Sequence, residues 1–183
     1  MISVDRTLYV GAPEDINERD EVEIRSYRCL EYLDISYYRV DHDPAMTIAD
    51  CQLIDEILGV HMCKNLFLCN RQKTDFYLLL MPGDKPFKTK ELSSQINAAR
   101  LSFAEAEFMM QFLDIKPGSV SVLGLMNDKD HRVRLLIDSD LLEETWIGCH
   151  PCKNTSSLRI LTKDILEKFL PFTGHSYTEV KLS

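Results

Sequence analysis

Residues 74–81, Thr-Asp-Phe-Tyr-Leu-Leu-Leu-Met, restrict the fold more than any other segment. A strand with one wet face alternates apolar and polar side chains. This one is nearly continuous across Leu78-Leu79-Leu80, as in a strand covered on both faces. Residues 64–69, Lys-Asn-Leu-Phe-Leu-Cys, precede it across the polar turn Asn70-Arg71-Gln72-Lys73, the pattern of a hairpin. The chain therefore needs packing layers on both sides of a central hairpin.

The flanking segments supply them. Residues 19–34 read as an amphipathic helix with Val22, Ser26, Cys29, Leu30 and Leu33 on one face. Thr47 reads as an N-cap with Asp50 in the first turn, and Gly59 closes that helix after Leu58. A helix over 89–99 turns Leu92, Ile96 and Ala99 to one side. Ser102-Phe103-Ala104-Glu105 reads as a capping box for a helix through Leu113. Thr162 is the expected cap of a last helix carrying Ile165, Leu166, Phe169 and Leu170. Further strands are expected at 36–40, 119–125, 132–137 and 155–161, and the residues after Gly174 are expected to be loose. Strands in hairpins without strict strand–helix alternation predict an α+β single domain with a curved, mixed, largely antiparallel sheet flanked by helices.

At 183 residues, with 45% hydrophobic and 27% charged side chains, the chain suits one soluble domain. No apolar run approaches the ~20 residues of a membrane span. The N-terminal residues lack the pattern of a signal peptide, so the cytoplasm is the expected compartment and the six cysteines are expected to be free thiols. A net charge of −8 opposes broad nucleic-acid binding. A local basic segment remains: Lys64, Arg71, Lys73, Lys85, Lys88, Lys90 and Arg100 stand against Asp75, Asp84 and Glu91.

The chemistry concentrates in residues 145–160, which hold the only Trp, Trp146, and the run Cys149-His150-Pro151-Cys152-Lys153-Asn154. One reading is a dithiol motif. Low-pKa thiols of that kind sit at a helix N-terminus, whereas the residues that follow here are polar and then strand-like. Zinc needs about four ligands in spaced pairs; Cys63, Cys69, His42 and His61 do not supply them. The other reading makes His150, Pro151 and Asn154 one wall of a pocket, with small-residue loop Pro117-Gly118-Ser119-Val120-Ser121 offering backbone N–H groups to a carbonyl or ester oxygen.

Six short motifs in order carry a family resemblance: Asp43-Pro44-Ala45-Met46-Thr47, Lys64-Asn65-Leu66-Phe67-Leu68, Pro117-Gly118-Ser119-Val120-Ser121, Gly124-Leu125-Met126-Asn127-Asp128, Leu136-Ile137-Asp138, and His150-Pro151 with Asn154-Thr155. Over residues 25–175 the chain resembles the YbaK-type aminoacyl-tRNA editing family, in its freestanding prolyl branch. Residues 1–24 are then an N-terminal extension and 176–183 a C-terminal tail. The resemblance implies hydrolysis of the ester joining a wrong amino acid to tRNA(Pro), alanine above all. It places Lys64 and His150 as catalytic and Thr47, Gly118, Ser119, Val120, Ser121, Asp138 and Asn154 as substrate-binding. Arg71, Lys73 and Lys88 are the expected contacts to the tRNA acceptor end. It implies no metal and no cofactor, and it makes prolyl-tRNA synthetase a candidate partner; no membrane is involved. Val122 stands where the family usually has Pro, and Leu123 where an aromatic is common, so the loop path is the departure from the pattern. A thiol-disulfide oxidoreductase and a non-catalytic aminoacyl-tRNA binder are the competing functions.

Overall fold

The computed structural model describes residues 2–183. In chain order, β1 (Tyr9–Val10) and a 3-10 turn (Ile16–Glu18) lead into α1 (Glu21–Tyr32) and β2 (Tyr37–Asp41). Next come α2 (Ile48–Leu58), the hairpin β3 (Lys64–Asn70) and β4 (Phe76–Met81), α3 (Thr89–Gln95), β5 (Leu101–Phe103) and α4 (Ala106–Leu113). A 3-10 segment (Val122–Asn127) precedes β6 (Val133–Asp138), α5 (Ser139–Leu142), β7 (Trp146–Cys149) and β8 (Ser156–Leu161). The last helical stretch is α6 (Thr162–Asp164), a π-turn (Ile165–Phe169) and α7 (Leu170–Thr173), followed by β9 (Tyr177–Val180).

The α+β class holds, with the strands in two ladders. One is antiparallel throughout, in the order β1-β2-β8-β7; the other is mixed, in the order β5-β3-β4-β6-β9. A single bridge between Met62 and Gly148 joins them, with the Cys63 N–H donating to the Gly148 carbonyl at 3.3 Å. β4 is buried along its whole length. Phe76, Leu78 and Leu80 enter the larger core with Tyr27, Leu30, Phe67, Ile147 and Leu158, while Tyr77, Leu79 and Met81 enter a second core with Leu68, Leu92, Leu136 and Val180. The unbroken apolar run therefore has its physical cause in two cores, one on each face.

Local expectations divide. Thr47 Oγ1 accepts from the Asp50 N–H at 3.1 Å and the Asp50 carboxylate accepts from the Thr47 N–H at 3.2 Å, a reciprocal cap. Gly59 ends α2 at φ +77°. The proposed capping box at Ser102 is replaced by β5: 101–103 pair with β3, Ala104 N–H donates to Phe67 O, and α4 starts only at Ala106. Ladder bonds to an open strand edge outweigh one side-chain cap there. Residues 122–127 coil into 3-10 turns where a strand was expected, because Ser121 Oγ accepts the Leu123 N–H at 3.2 Å. The last residues are not loose. β9 pairs in parallel with β6, and Leu182 is buried in the second core.

The N-terminal residues run along the first ladder. Val4 bridges His42, the Asp5 N–H donates to the Asp41 carbonyl, and β1 pairs with β2.

Candidate active site

A cavity of about 130 Å³ opens where the two ladders meet. His42, Ala45, Cys51, Ile54, Met62, Gly118, His150, Asn154 and Ser157 line it. Its apolar side comes from α2 and the bridge residue Met62. Its polar side comes from the ends of β2 and β7, the start of β8 and the 117–121 loop.

The two histidines define its chemistry. His150 Nδ1 lies 2.8 Å from the Ser156 carbonyl, and His42 Nδ1 lies 2.8 Å from the Asp43 carbonyl. A carbonyl only accepts, so each Nδ1 carries the proton. His42 Nε2 is then an acceptor, filled by the Ser157 hydroxyl at 2.8 Å. His150 Nε2 has no protein partner among the described residues. The ring centroids are 6.2 Å apart. Burial pushes the His42 imidazole below its ordinary range, and burial, with His42 nearby, pushes His150 down to about 4. Both rings are neutral at pH 7. His150 thus offers one basic lone pair in a small, mostly apolar chamber.

The opposite wall is backbone. Gly118 has φ +88°, and a Cβ there would stand 3.5 Å from Asn154 Nδ2, so glycine is what permits the turn. The Asn154 N–H donates to Ser119 Oγ at 3.1 Å, which ties the loop to the strand end. The Ser119 amide is occupied by the Lys116 carbonyl. The amides of Gly118, Val120 and Ser121 donate to no protein group among the described residues. The Ser121 side chain is buried in its capping role and Val120 packs on the core.

The structure brings together His150, Asn154 and Gly118, with Ser119 behind them. Thr47 sits at the start of α2, two residues from Ala45, with its hydroxyl engaged in the cap. Lys64 does not line the cavity. Its ammonium donates to the Lys85 carbonyl at 2.5 Å, on the face of β3 that carries Leu66 and Leu68 into the second core. Asp138 lies there too, fully buried, accepting from Lys85 Nζ at 2.8 Å and capping α5. Arg71 and Lys73 occupy the far turn of the hairpin, a strand length or roughly 20 Å from Met62, and Lys73 is paired with Glu105. Lys88 Nζ reaches Ser183 Oγ at 3.2 Å. Sequence reading passed over His42, Cys51, Met62 and Ser157. His42 was weighed only as an isolated zinc candidate, and no periodic signal links it to Ser157, 115 residues later.

The dithiol reading loses its footing. Cys149 and Cys152 are buried; burial raises both thiols, Cys152 to about 12. Cys152 sits in a turn at φ +61°, not at a helix N-terminus. Reactive cysteines need the opposite environment. Among the described residues, no group of three or more His, Cys, Asp or Glu side chains could hold a metal ion, and no helix is long and apolar enough to cross a membrane.

Two ladders meeting at a small cavity, lined by a neutral histidine and by Gly118 of a loop with free backbone amides, suit hydrolysis of an activated ester. Residues 42–168 match the family model of the aminoacyl-tRNA editing domain, and the chain belongs to that family. It is an aminoacyl-tRNA deacylase by that membership. The chain is 29% identical over 153 residues to the prolyl-tRNA editing protein ProX of Acetoanaerobium sticklandii, covering 84% of this chain and 93% of that one. It is 30% identical over 168 residues to the prolyl-tRNA synthetase associated domain-containing protein 1 of Danio rerio, covering 90% and 86%. A solved structure of a candidate trans-editing enzyme for prolyl tRNA synthetase superposes with a TM-score of 0.65 at 15% identity, covering 90% of this chain and 99% of that one, and so shares the fold.

Proposed function

We propose that this protein edits in trans, releasing a wrong amino acid, alanine foremost, from tRNA(Pro) in the cytoplasm. The observation that carries this reading is the small cavity lined by both His150 and Gly118, where His150 Nε2 and the Gly118 amide have no protein partner among the described residues. A synthetase pocket built for proline rejects alanine weakly, because missing methylenes are worth only about 1–3 kcal/mol. A second, smaller chamber lined by Ala45, Ile54 and Met62 admits the smaller side chain and excludes the larger.

The ester is already activated, so a positioned water suffices. The water oxygen bonds to the ester carbonyl carbon and the bond to the ribose oxygen breaks. The proton lost by water ends on that ribose oxygen. His150 Nε2 accepts a hydrogen bond from the attacking water. The amides of Gly118 and Val120 hold the carbonyl oxygen as it gains charge. Asn154 reads a polar group of the aminoacyl-adenosine. Ser121 and Thr47 serve by holding the loop and the start of α2, Asp138 serves the Lys85 pair away from the cavity, and Arg71, Lys73 and Lys88 are left for more distant parts of the tRNA. Prolyl-tRNA synthetase is the partner that the same chemistry suggests.

The test is a deacylation panel with tRNA(Pro) charged with Ala, Cys, Ser or Pro. Alanine is expected to leave fastest and proline to stay. Equal release of proline, or release of none of the four, overturns the reading. Lys64 has a separate test. Its ammonium reaches the substrate only by leaving the Lys85 carbonyl, so Lys64→Ala is expected to lower kcat by about tenfold if it assists the leaving ribose oxygen. Turnover equal to the parent removes Lys64 from the mechanism.

A further inference from the structure

Both cavity histidines are held from one dipeptide. Ser156 gives its carbonyl to His150 and Ser157 gives its hydroxyl to His42. What holds Ser156 lies before residue 42, where the family match begins. The Ser156 hydroxyl, fully buried, donates to Asp41 Oδ1 at 2.6 Å and stands 3.4 Å from Glu23 Oε1 and from Arg19 Nη1. Arg19 binds Glu23 at 3.1 Å and Asp41 at 3.2 Å; Arg39 Nε reaches Asp41 at 3.0 Å; the Tyr27 hydroxyl donates to Glu23 at 2.9 Å.

We propose that Arg19, Glu23 and Asp41 are positioning residues for deacylation: by gripping the Ser156 hydroxyl they fix the Ser156 carbonyl that holds His150 as its Nδ1–H tautomer, with Nε2 left for substrate. The segment read from sequence as an extension thereby becomes part of the catalytic apparatus. This rests on the editing reading only for the role given to His150.

Three features support it. A buried charge cluster is a poor source of stability compared with apolar packing, so its place behind the catalytic histidine calls for another role. The inner charges pair off, Arg19 and Arg39 against Glu23 and Asp41, while the exposed Asp15 binds Arg19 at 3.0 Å from the outer side, so each carboxylate behind the two imidazoles meets a guanidinium. Burial alone would raise the Asp41 carboxyl, yet the bonds from Ser156, Arg39 and Arg19 hold it below the usual range. It therefore stays an acceptor for the Ser156 hydroxyl across the working pH range.

Ser156→Ala deletes the hydroxyl and keeps the carbonyl. Its kcat on alanyl-tRNA(Pro) is expected to fall by about tenfold with KM within about twofold, since orientation and not binding is lost. In 15N NMR spectra the His150 ring nitrogens of this variant are expected to move from a single Nδ1–H tautomer toward averaged values. Asp41→Asn keeps an acceptor for Ser156 and is expected to retain most of both signals; Asp41→Ala removes it, is expected to lose both, and stands in should Ser156→Ala fold poorly. Parent-like His150 15N shifts and parent-like kcat in Ser156→Ala overturn the proposal. Should the parent protein deacylate none of the charged tRNAs, the editing reading fails, and the 15N shifts still decide whether the cluster sets the tautomer.

Discussion

His150→Gln is expected to lower deacylation by about 100-fold, the usual scale for losing a positioned proton acceptor, while making the protein more resistant to acid. Glutamine can still donate to the Ser156 carbonyl but has no imidazole lone pair to offer water. The acid effect follows from burial. An unfolded chain binds a proton to this histidine near its ordinary value of 6.5, whereas the folded protein resists until about 4. Above 6.5 both states are neutral and pH has no leverage through this group. Between 6.5 and 4 only the unfolded chain gains the proton, so the folded state loses ground as pH falls. A shift of this size amounts to about 2–3 kcal/mol by pH 4.5. His42, also pushed down by burial, adds to the loss in the same direction. Urea unfolding at pH 7 and pH 4.5 measures the difference. The parent protein should lose more stability than His150→Gln over that interval. Parallel losses in the two proteins would show that His150 is not buried in its neutral form.

How much of this could be read in advance depended on the range of each interaction. The β3–β4 hairpin was legible because the apolar runs and the polar turn between them are local. The two-faced burial of β4 was legible because six apolar residues in a row leave no wet side. The Thr47–Asp50 cap and the Gly59 stop were legible because both are closed within four residues. β9 was not: Tyr177, Thr178 and Glu179 are largely exposed, and nothing in them signals parallel pairing to β6. The capping box at Ser102 misled because the Phe67 carbonyl, 37 residues before Ala104, takes the Ala104 N–H.

The candidate site shows the same division. His150, Gly118 and Asn154 were found through the order of short motifs and do meet at one cavity. Lys64 carried an equal motif signal, yet strand alternation turns its side chain to the Leu66 and Leu68 face. The partners that hold the histidines begin one strand: Ser157 lies 115 residues after His42, and Ser156 lies six residues after His150 around a turn. No residue type in that polar stretch distinguishes a strand entry from a histidine clamp.

The bridge that joins the two ladders carries the other large expected effect. Gly83→Ala is expected to destabilise the protein by about 2–3 kcal/mol and to lower deacylation by roughly 100-fold. The φ of Gly83 lies outside the left-handed region, so alanine meets no backbone strain there. The obstacle is contact: a Cβ would stand 2.4 Å from the Met62 carbonyl oxygen. A flexible side chain could swing aside, but this atom is backbone, and its residue is fixed from several directions. The Met62 N–H donates to Asp55 Oδ1 at 3.3 Å, the residue bridges Gly148, and the next N–H binds the Gly148 carbonyl. Gly148 offers little room on its side of the seam, since a Cβ built there would stand 3.0 Å from the Met62 sulfur and 3.1 Å from the His61 carbonyl. Relief must come from moving Met62, whose side chain lines the cavity, and with it the seam that sets the distance between α2 and His150. Small displacements of that kind weigh heavily on a reaction that depends on placing one water. Urea unfolding and alanyl-tRNA(Pro) deacylation of the variant read the two consequences separately. A protein as stable and as active as the parent would show that the 82–84 turn yields, and that the seam does not govern the cavity.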